Sequence, residues 1–347
     1  MPYSIMSSAE LMEATRTLIP EEFFLSQRYF GVQRFTTADE IVFDEMVGLN
    51  TIAPFVSPLV DGKPIVQGGY NAVKFKPAYI KIEDVVRPTD TTFRAFAEPL
   101  NQLDNQLTRL NNGRVNALDK HVMAVRRTKE WMCAQYLLNG KYTVQGEAYP
   151  AQLLDFGANP LNRFSLAGPA LWSAATSTPL QDIDNWANIM LDIAGCAPTE
   201  ILMTSGVWSN LSRNQDFNDQ YKKFQAIGGP LPNITPQAAS KVQRKGQLGD
   251  YELIAYNDTY HDAAGTLTKY LPAGYVFMIC NAEGGLDGRQ LHAGIQNNKA
   301  ILAGLNKGEM FQSEWANASG SANVIGTESA PLVAARKVNA VIAVKVL

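Results

Sequence analysis

The chain has few of the residues that most often carry chemistry. Its 347 residues include only three cysteines and three histidines. The cysteines, Cys133, Cys196 and Cys280, are odd in number and widely spaced, so the sequence predicts free thiols in a reducing compartment rather than a disulfide framework. No two histidines lie within four residues of each other, and we therefore expect no metal centre built from them.

Long hydrophobic runs and an excess of one charge are also missing. No run approaches the roughly 18 apolar residues of a membrane span, and Met1–Ile5 has neither the basic nor the apolar region of a signal peptide. Thirty lysines and arginines stand against 33 acidic residues, for a net charge of −3, which argues against tight nonspecific binding to duplex DNA. The sequence thus predicts a soluble protein made in a cytoplasm, with no membrane partner.

No group of residues has the spacing of a catalytic site. Gly284–Arg289 is rich in glycine, but no Lys-Ser or Lys-Thr pair follows it. Gly206-Val207-Trp208 lacks the serine of a nucleophile elbow. His261-Asp262 is the only adjacent histidine–carboxylate pair, and it lies in a predicted loop. We therefore expect no enzyme, no catalytic residues and no cofactor.

What the chain does have is a long extended stretch at about residues 51–86. Asp61-Gly62 favours a hairpin turn. A hairpin with legs of about 15 residues would reach roughly 50 Å, whereas a compact chain of this length has a radius of gyration of about 20 Å. An isolated hairpin is only marginally stable, so such an arm needs a neighbour to lie on. Four prolines oppose a helix here: Pro54, Pro58, Pro64 and Pro77.

Apolar periodicity predicts one long helix over residues 100–138. It would span more than about 50 Å, with a bend at Asn111–Gly113 and an end at Asn139-Gly140. A second helix is predicted over Asp182–Ala194. Further predictions are a hairpin at Lys141–Phe156 and strands at Glu200–Thr204, Tyr251–Tyr256, Tyr275–Cys280 and, at the end of the chain, Val338–Val346.

The first 35 residues predict a short helix followed by an aromatic cluster. Ser7 and Glu10 have the spacing of a capping box. Two interpretations of the cluster remain open: core aromatics of this chain, or an N-terminal arm whose rings dock on a neighbour. The cluster consists of Phe23, Phe24, Tyr29 and Phe30.

Three separate blocks of the sequence resemble the major capsid proteins of lambda-type tailed phages, the phage major capsid protein E family. The first combines Phe55–Val60 with Phe75–Lys81, the second is Leu138–Glu147 and the third is Glu328–Leu332. They occur in the family's order and spacing, and the resemblance extends from the first dozen residues to the C-terminus. One block alone would be unspecific, but the three together indicate the family.

The resemblance implies an α+β fold of the Hong Kong 97 type. Its parts are an N-terminal arm, an extended loop formed by the β-hairpin arm, a peripheral domain with the long spine helix, and an axial α/β domain. The residues concerned are 1–45 for the N-terminal arm, 46–90 for the extended loop, 91–178 together with 311–347 for the peripheral domain, and 179–310 for the axial domain. By the family's pattern, the final strand returns to the peripheral domain.

The resemblance also implies a structural function. Hexamers and pentamers of the chain would form an icosahedral shell around the double-stranded DNA of a tailed phage, assembled in the host bacterial cytoplasm. A portal, a separate scaffolding protein and a decoration protein are the expected partners; the scaffold is expected to be separate because the match begins near residue 1. The alternative is an encapsulin-like nanocompartment or another phage-derived assembly subunit.

Contacts between subunits are expected along both arms. The residues concerned are Phe23, Phe24, Phe55, Pro58, Val60, Lys63, Tyr70, Phe75 and Tyr79. Some capsid relatives join subunits by Lys–Asn isopeptide bonds, and four lysines lie on the hairpin arm. Because cross-linking does not define the lambda-type branch, we expect these lysines to be solvated and the shell to be noncovalent.

Overall fold

In a computed structural model of the protein, the residues described are 5–17, 23–46, 70–87, 106–146, 149–174, 176–219, 241–262, 264–317, 319 and 322–347. The main helices are α1 (Ser8–Thr17), α2 (Phe24–Tyr29), α3 (Gln106–Asn139), α4 (Pro179–Ala194), α5 (Ser205–Leu211) and α6 (Asn298–Leu302). Short 3-10 turns lie at Pro160–Asn162, Gly168–Ala170 and Val338–Ala340.

The strands of the described residues form one six-stranded sheet, two three-stranded sheets and three two-stranded ribbons. In chain order the first nine are β1 (Val32–Phe35), β2 (Ile41–Met46), β3 (Tyr70–Phe75), β4 (Ile80–Val86), β5 (Lys141–Gly146), β6 (Tyr149–Asp155), β7 (Arg163–Ser165), β8 (Glu200–Met203) and β9 (Val242–Leu248). The others are β10 (Tyr251–Tyr256), β11 (Thr259–His261), β12 (Leu267–Lys269), β13 (Tyr275–Ile279), β14 (Gly288–His292), β15 (Phe311–Ala316), β16 (Asn323–Ser329), β17 (Pro331–Ala335) and β18 (Val341–Lys345).

The six-stranded sheet has the order β7-β18-β13-β8-β10-β9 and lies within the main hydrophobic core. Its central strands β8, β13 and β18 are buried almost throughout, as expected for strands covered on both faces. Helix α4 packs Ile183, Trp186 and Met190 into the same core. Pro179 begins this helix, and Gly195 ends it in the left-handed conformation at φ 65°.

Helix α3 connects the remaining layers. Its 34 residues extend about 50 Å. It contacts β17 of the sheet β1-β14-β17, and β16 and β4 of the sheet β15-β16-β4. The same helix buries charged side chains toward these strands: Arg114 Nη2 lies 2.8 Å from Glu314 Oε1, and Lys129 pairs with Glu309. The helix therefore packs through both apolar and ionic contacts.

A buried carboxylate on α3 holds the start of α2. Glu130 accepts hydrogen bonds from the backbone N–H groups of Leu25 at 2.9 Å and Ser26 at 2.8 Å, and from the Tyr256 hydroxyl at 2.9 Å. Negative charge is favourable there because the first N–H groups of a helix have no partner within it. Burial raises the pKa of Glu130, and the three hydrogen bonds oppose that rise.

A second buried carboxylate, Glu200 on β8, holds the other end of α2. It accepts hydrogen bonds from the Arg28 guanidinium at 2.7 and 3.1 Å and from the Tyr29 hydroxyl at 2.9 Å. The side-chain amide of Asn281 donates to it at 2.9 Å. Helix α2 is thus tied at both ends to elements that lie far away in the sequence.

The backbone that follows α2 lies very close to two glycines of the body. Strand β1 runs parallel to β14, and two glycines leave room for it. A Cβ on Gly288 would lie 2.1 Å from the Tyr29 carbonyl oxygen, and one on Gly294 would lie 2.2 Å from the Thr37 carbonyl oxygen. Any side chain at either position would push this N-terminal strand away from the body.

Several elements predicted from local sequence are confirmed. The Ser7 N–H and hydroxyl both donate to Glu10 at 2.8 Å, and the Glu10 N–H donates to the Ser7 hydroxyl at 3.3 Å, which is a complete capping box. The second helix is α4, beginning three residues before the predicted start. The predicted hairpin is β5–β6. The long helix is α3, whose helical backbone continues through Asn111–Gly113.

One predicted element is wrong. Ile80–Val86 does not belong to the hairpin arm, because it pairs along its whole length with Asn323–Ser329, and Ile80 and Ile82 pack against α3. The final strand β18 lies between β7 and β13 in the six-stranded sheet and also contacts α3. Its buried apolar run requires cover on both faces. The division of the chain into domains, including the return of this strand to the peripheral domain, stays a prediction.

None of the helices in the described part of the chain combines the length and the hydropathy that a bilayer span requires.

Replacing Glu130 tests the anchoring of α2. In Glu130→Ala, two backbone N–H groups and the Tyr256 hydroxyl lose their acceptor, so we expect the free energy of unfolding to fall by about 3 kcal/mol. Glu130→Gln keeps one acceptor oxygen and should lose less. The measurement is urea denaturation, with the exposed Glu283→Ala as control.

The pH dependence gives a second measurement on the same variants. The folded-state pKa of Glu130 is raised above the ordinary value of 4.5. Its contribution to the free energy of unfolding is therefore fully present below pH 4.5 and is lost as the pH rises through the folded-state pKa. The stability difference between the wild type and Glu130→Gln should therefore shrink with rising pH. A difference that widens would contradict this assignment.

Candidate assembly surface

Three sequence blocks that are far apart in the chain meet around residues 328–333. Tyr79 comes from the first block, Tyr142 from the second, and Glu328 and Val333 lie in or next to the third. Tyr79 bonds to Glu328, and Tyr142 bonds to the backbone of Val333. We call this meeting point the junction; it is defined by these four residues.

Glu328 is the charged centre of the junction. It is buried, and one of its carboxylate oxygens accepts a hydrogen bond from the Tyr79 hydroxyl. The other accepts from the side-chain amide of Asn297 at 2.8 Å and lies 3.9 Å from Lys81 Nζ. Burial, together with the adjacent Glu328 carboxylate, raises the pKa of Tyr79 well above its ordinary value. Tyr79 therefore stays protonated and remains a donor.

Tyr142 fastens the ribbon β5–β6 to the junction. Its hydroxyl donates to the Val333 carbonyl oxygen at 3.0 Å and accepts from the Val333 N–H at 3.2 Å. Its ring packs against Phe156 and Trp131, with centroid distances of 5.6 and 6.3 Å. Burial raises the pKa of Tyr142 as well. The ribbon is thus held by both polar and aromatic contacts.

The ribbon β2–β3 starts beside the same junction. Its first pair, Ile41 and Phe75, is buried, and the Phe75 ring lies 4.9 Å from the Phe156 ring. Its last pair is Met46 and Tyr70, and residues 47–69 connect the two strands. The ribbon is the base of the predicted hairpin arm, and the core holds it at one end.

A cavity of about 300 Å³ opens at the base of the ribbon β2–β3, beside Tyr149 of the ribbon β5–β6 and the chain at residues 293–296. We call it the ribbon cavity. Its floor is largely apolar, with Pro77, Ala293 and Ala330 beside the rings of Tyr79 and Tyr149. Asp39 and Lys76 lie among its lining residues, and their charged groups are 3.8 Å apart. An apolar floor with charged groups beside it suits a side chain from another protein surface.

The structure places only some of the predicted contact residues. Phe23 is buried, and Phe24 stacks on Tyr256 at 6.0 Å, so both lie in the core of their own chain. Tyr79 belongs to the junction, Phe75 lies at the buried base of the ribbon, and Tyr70 is the first residue of β3, paired with Met46. The other four, Phe55, Pro58, Val60 and Lys63, lie outside the described residues. Contact of all nine with another subunit stays a prediction.

Two of the three histidines are core residues. His261 is exposed, but it is the last residue of strand β11 and pairs with Leu267, whereas the sequence predicted a loop there. His292 is 1% exposed and stacks on Phe35 at 5.1 Å, and burial lowers its pKa to about 4. His121 on α3 contacts the Thr327 hydroxyl at 2.9 Å. Within the described residues, no group of three or more His, Cys, Asp or Glu side chains has the geometry of a metal site.

The buried ionic contacts cannot be predicted from the sequence. Glu130, Glu200 and Glu328 each pair with groups more than 30 residues away in at least one direction, so no local spacing reveals them. The only signal is indirect: Tyr79 and Glu328 both lie in blocks that resemble the capsid family.

The fold is that of a viral capsid subunit. The solved structure of a prophage capsid protein from E. coli CFT073 matches with a TM-score of 0.75 at 20% identity, covering 99% of this chain and 100% of that one. The model of the family described as phage major capsid protein E matches residues 7–346. The chain belongs to that family.

Two relatives agree with this assignment. The major capsid protein of Enterobacteria phage P21 is 24% identical over 299 residues, which is 85% of each chain. The major capsid protein of Escherichia phage lambda is 24% identical over 335 residues, 95% of this chain and 96% of that one. The protein is thus a shell-forming structural subunit with the α+β fold of the Hong Kong 97 type.

Removing the Tyr79 hydroxyl tests the junction. Tyr79→Phe keeps the ring but takes one donor from the buried Glu328 carboxylate, so we expect a loss of about 1–2 kcal/mol in the free energy of unfolding. Tyr275→Phe is the matched control, because its ring is also half-buried and stacks on a neighbouring ring, Phe277, at 6.1 Å. Equal loss in the two variants would show that the Tyr79–Glu328 bond contributes nothing specific.

Proposed function

We propose that hexamers and pentamers of this chain build an icosahedral shell around packaged double-stranded DNA, with the hairpin arm of each subunit lying on an adjacent one. Family membership and the named capsid relatives support the shell. The ribbon β2–β3 supports the arm: it is a two-stranded ribbon whose first pair is buried in the core. A two-stranded ribbon alone is marginally stable and gains from a partner surface.

The axial part of the proposal concerns residues 179–310, which would gather around the five- and sixfold axes. Between β10 and β13 of the six-stranded sheet, the chain forms the exposed two-stranded ribbon β11–β12. Loops that project from a rigid sheet are suited to contacts that must adapt to two symmetries.

The proposed partners are a separate scaffolding protein, a portal and a decoration protein, with assembly in the host cytoplasm and the finished subunit in the virion. One chain that forms both pentamers and hexamers does not by itself specify the curvature of a shell, which is why a scaffold is included. The near-neutral charge of the chain fits a shell that encloses DNA without binding it tightly.

Shortening the arm tests its role in assembly. Removal of residues 51–67 leaves both ribbon strands, β2 and β3, in place. We expect a variant with unchanged circular dichroism and thermal unfolding that forms no shells, measured by sedimentation and electron microscopy beside the wild type. Normal-sized particles from the shortened chain would refute the proposed role of the arm.

Denaturing electrophoresis of finished particles tests whether the shell is covalent. We expect a single band at the monomer mass of 38.1 kDa, because the subunit interfaces are proposed to be noncovalent. A ladder of larger species would contradict this. In that case, Lys63→Arg and Lys76→Arg would identify the lysine involved, since arginine keeps the positive charge but has no primary amine to form an isopeptide bond.

A further inference from the structure

The short helix α6 ends in four consecutive exposed apolar residues, Ile301, Leu302, Ala303 and Gly304. We call them the tip. Leu302 is 88% exposed and Ile301 is 54% exposed. A run of four exposed apolar residues is unfavourable on a surface that stays in water, and it is expected where a surface becomes covered. In a shell-forming protein, most of the surface that becomes covered faces other copies of the chain.

The tip is held rigidly from below. The Leu305 N–H donates to the Ala300 carbonyl at 2.8 Å, and the Gly304 N–H donates to the Ile301 carbonyl at 3.1 Å. With Gly304 at φ 67° this is a complete Schellman motif. Ala300 is fully buried, and Leu305 packs against the same cluster. The tip is therefore fixed in shape before any contact forms, which lowers the entropic cost of binding.

The start of α6 is anchored as well. The Asn297 side chain caps the helix by accepting from the Lys299 N–H at 2.9 Å. The same side chain donates to Glu328 at 2.8 Å. The helix that carries the tip is thus attached directly to the junction, and its orientation relative to the ribbons is set by that bond.

The ribbon cavity has the properties of a receptor for such a tip. Its floor is apolar and its volume of about 300 Å³ accommodates aliphatic side chains. Asp39 lines the cavity, and its carboxylate lies 3.8 Å from Lys76 Nζ. Glu40, the next residue in the chain, is exposed as well, so these three side chains together carry one negative charge. At the tip, Lys299 precedes the four apolar residues and Lys307 follows them, and both lysines are exposed. The charges around the two surfaces are complementary.

We propose that the tip of one subunit inserts into the ribbon cavity of a second copy of this chain. The inference rests on the proposed shell and names one contact within it. Leu302 and Ile301 lie on the apolar floor beside Tyr79 and Tyr149, and the lysines around the tip face the acidic residues at the cavity. Because the tip and the cavity are different surfaces of one chain, the contact is heterologous and repeats around a rotation axis.

The first test replaces the tip. Ile301→Ser combined with Leu302→Ser should leave the midpoint of thermal unfolding unchanged, because both side chains are exposed. It should raise the protein concentration needed for particle formation at least about tenfold. The control is Leu161→Ser, a leucine of the 3-10 turn Pro160–Asn162 that is 66% exposed; Leu267 on β12, 61% exposed, serves as the control in the cross-linking test only. Particle formation at the wild-type concentration by the tip variant would overturn the proposal.

The second test needs no complete shell. Two single variants, Leu302→Cys and Lys76→Cys, are mixed and oxidised with diamide, so that a cross-link between these positions can only join two copies. We expect a band at twice the monomer mass from the mixture. Leu267→Cys mixed with Lys76→Cys should give none. The native cysteines are controlled by the wild type treated in the same way.

The two tests separate this contact from the proposed shell. Cross-linking by a protein that forms only small oligomers would support the contact while counting against the shell. Shells without the cross-link, or a cross-link equally strong from Leu267→Cys, would overturn the contact and leave the shell standing.

Discussion

Glu130 holds together three parts of the chain that are far apart in sequence. It lies on the long helix α3, bonds to the first turn of α2 and reaches the Tyr256 hydroxyl on β10. A buried carboxylate loses much of its hydration, and only well-placed donors offset that loss. The two N–H groups of a helix start provide such donors without ordering any further side chain. The N-terminal segment therefore has one position against the body.

That constraint determines which surfaces remain for assembly. With Glu200 holding Arg28 and Tyr29, residues 23–30 form part of the core of their own subunit, and Gly288 allows the exposed strand β1 to lie along β14. Two elements proposed for assembly contacts lie beside this core, the ribbon β2–β3 and the helix α6. Both begin at the junction, where Glu328 bonds to Tyr79 on one side and to Asn297 on the other.

Local features of the sequence predicted what local interactions determine. The capping box of Ser7 and Glu10 and the glycine end of α4 follow from hydrogen bonds within a few residues. Ile80–Val86 is assigned to the arm by the sequence because the prolines that precede it, up to Pro77, and the turn signal at Asp61-Gly62 outweigh the short alternation Ile80-Lys81-Ile82. The roles of Glu130 and Glu328 were not predictable, because charged residues on a helix or strand normally indicate a solvated face and their partners come from distant segments. The three blocks that resemble the family can be recognised in the sequence, but their contact in the folded chain cannot.

The hydrogen bonds of Glu328 connect the two elements that are proposed for assembly contacts. One oxygen of Glu328 accepts from Tyr79, which follows the end of β3 at Phe75 by four residues. The other oxygen accepts from Asn297, which caps α6. The base of the arm and the helix carrying the tip thus share a single buried carboxylate. Movement of either partner away from Glu328 leaves that charge less well solvated, which costs free energy. The proposed arm and tip contacts would therefore favour each other, because both use elements that bond to the same buried carboxylate.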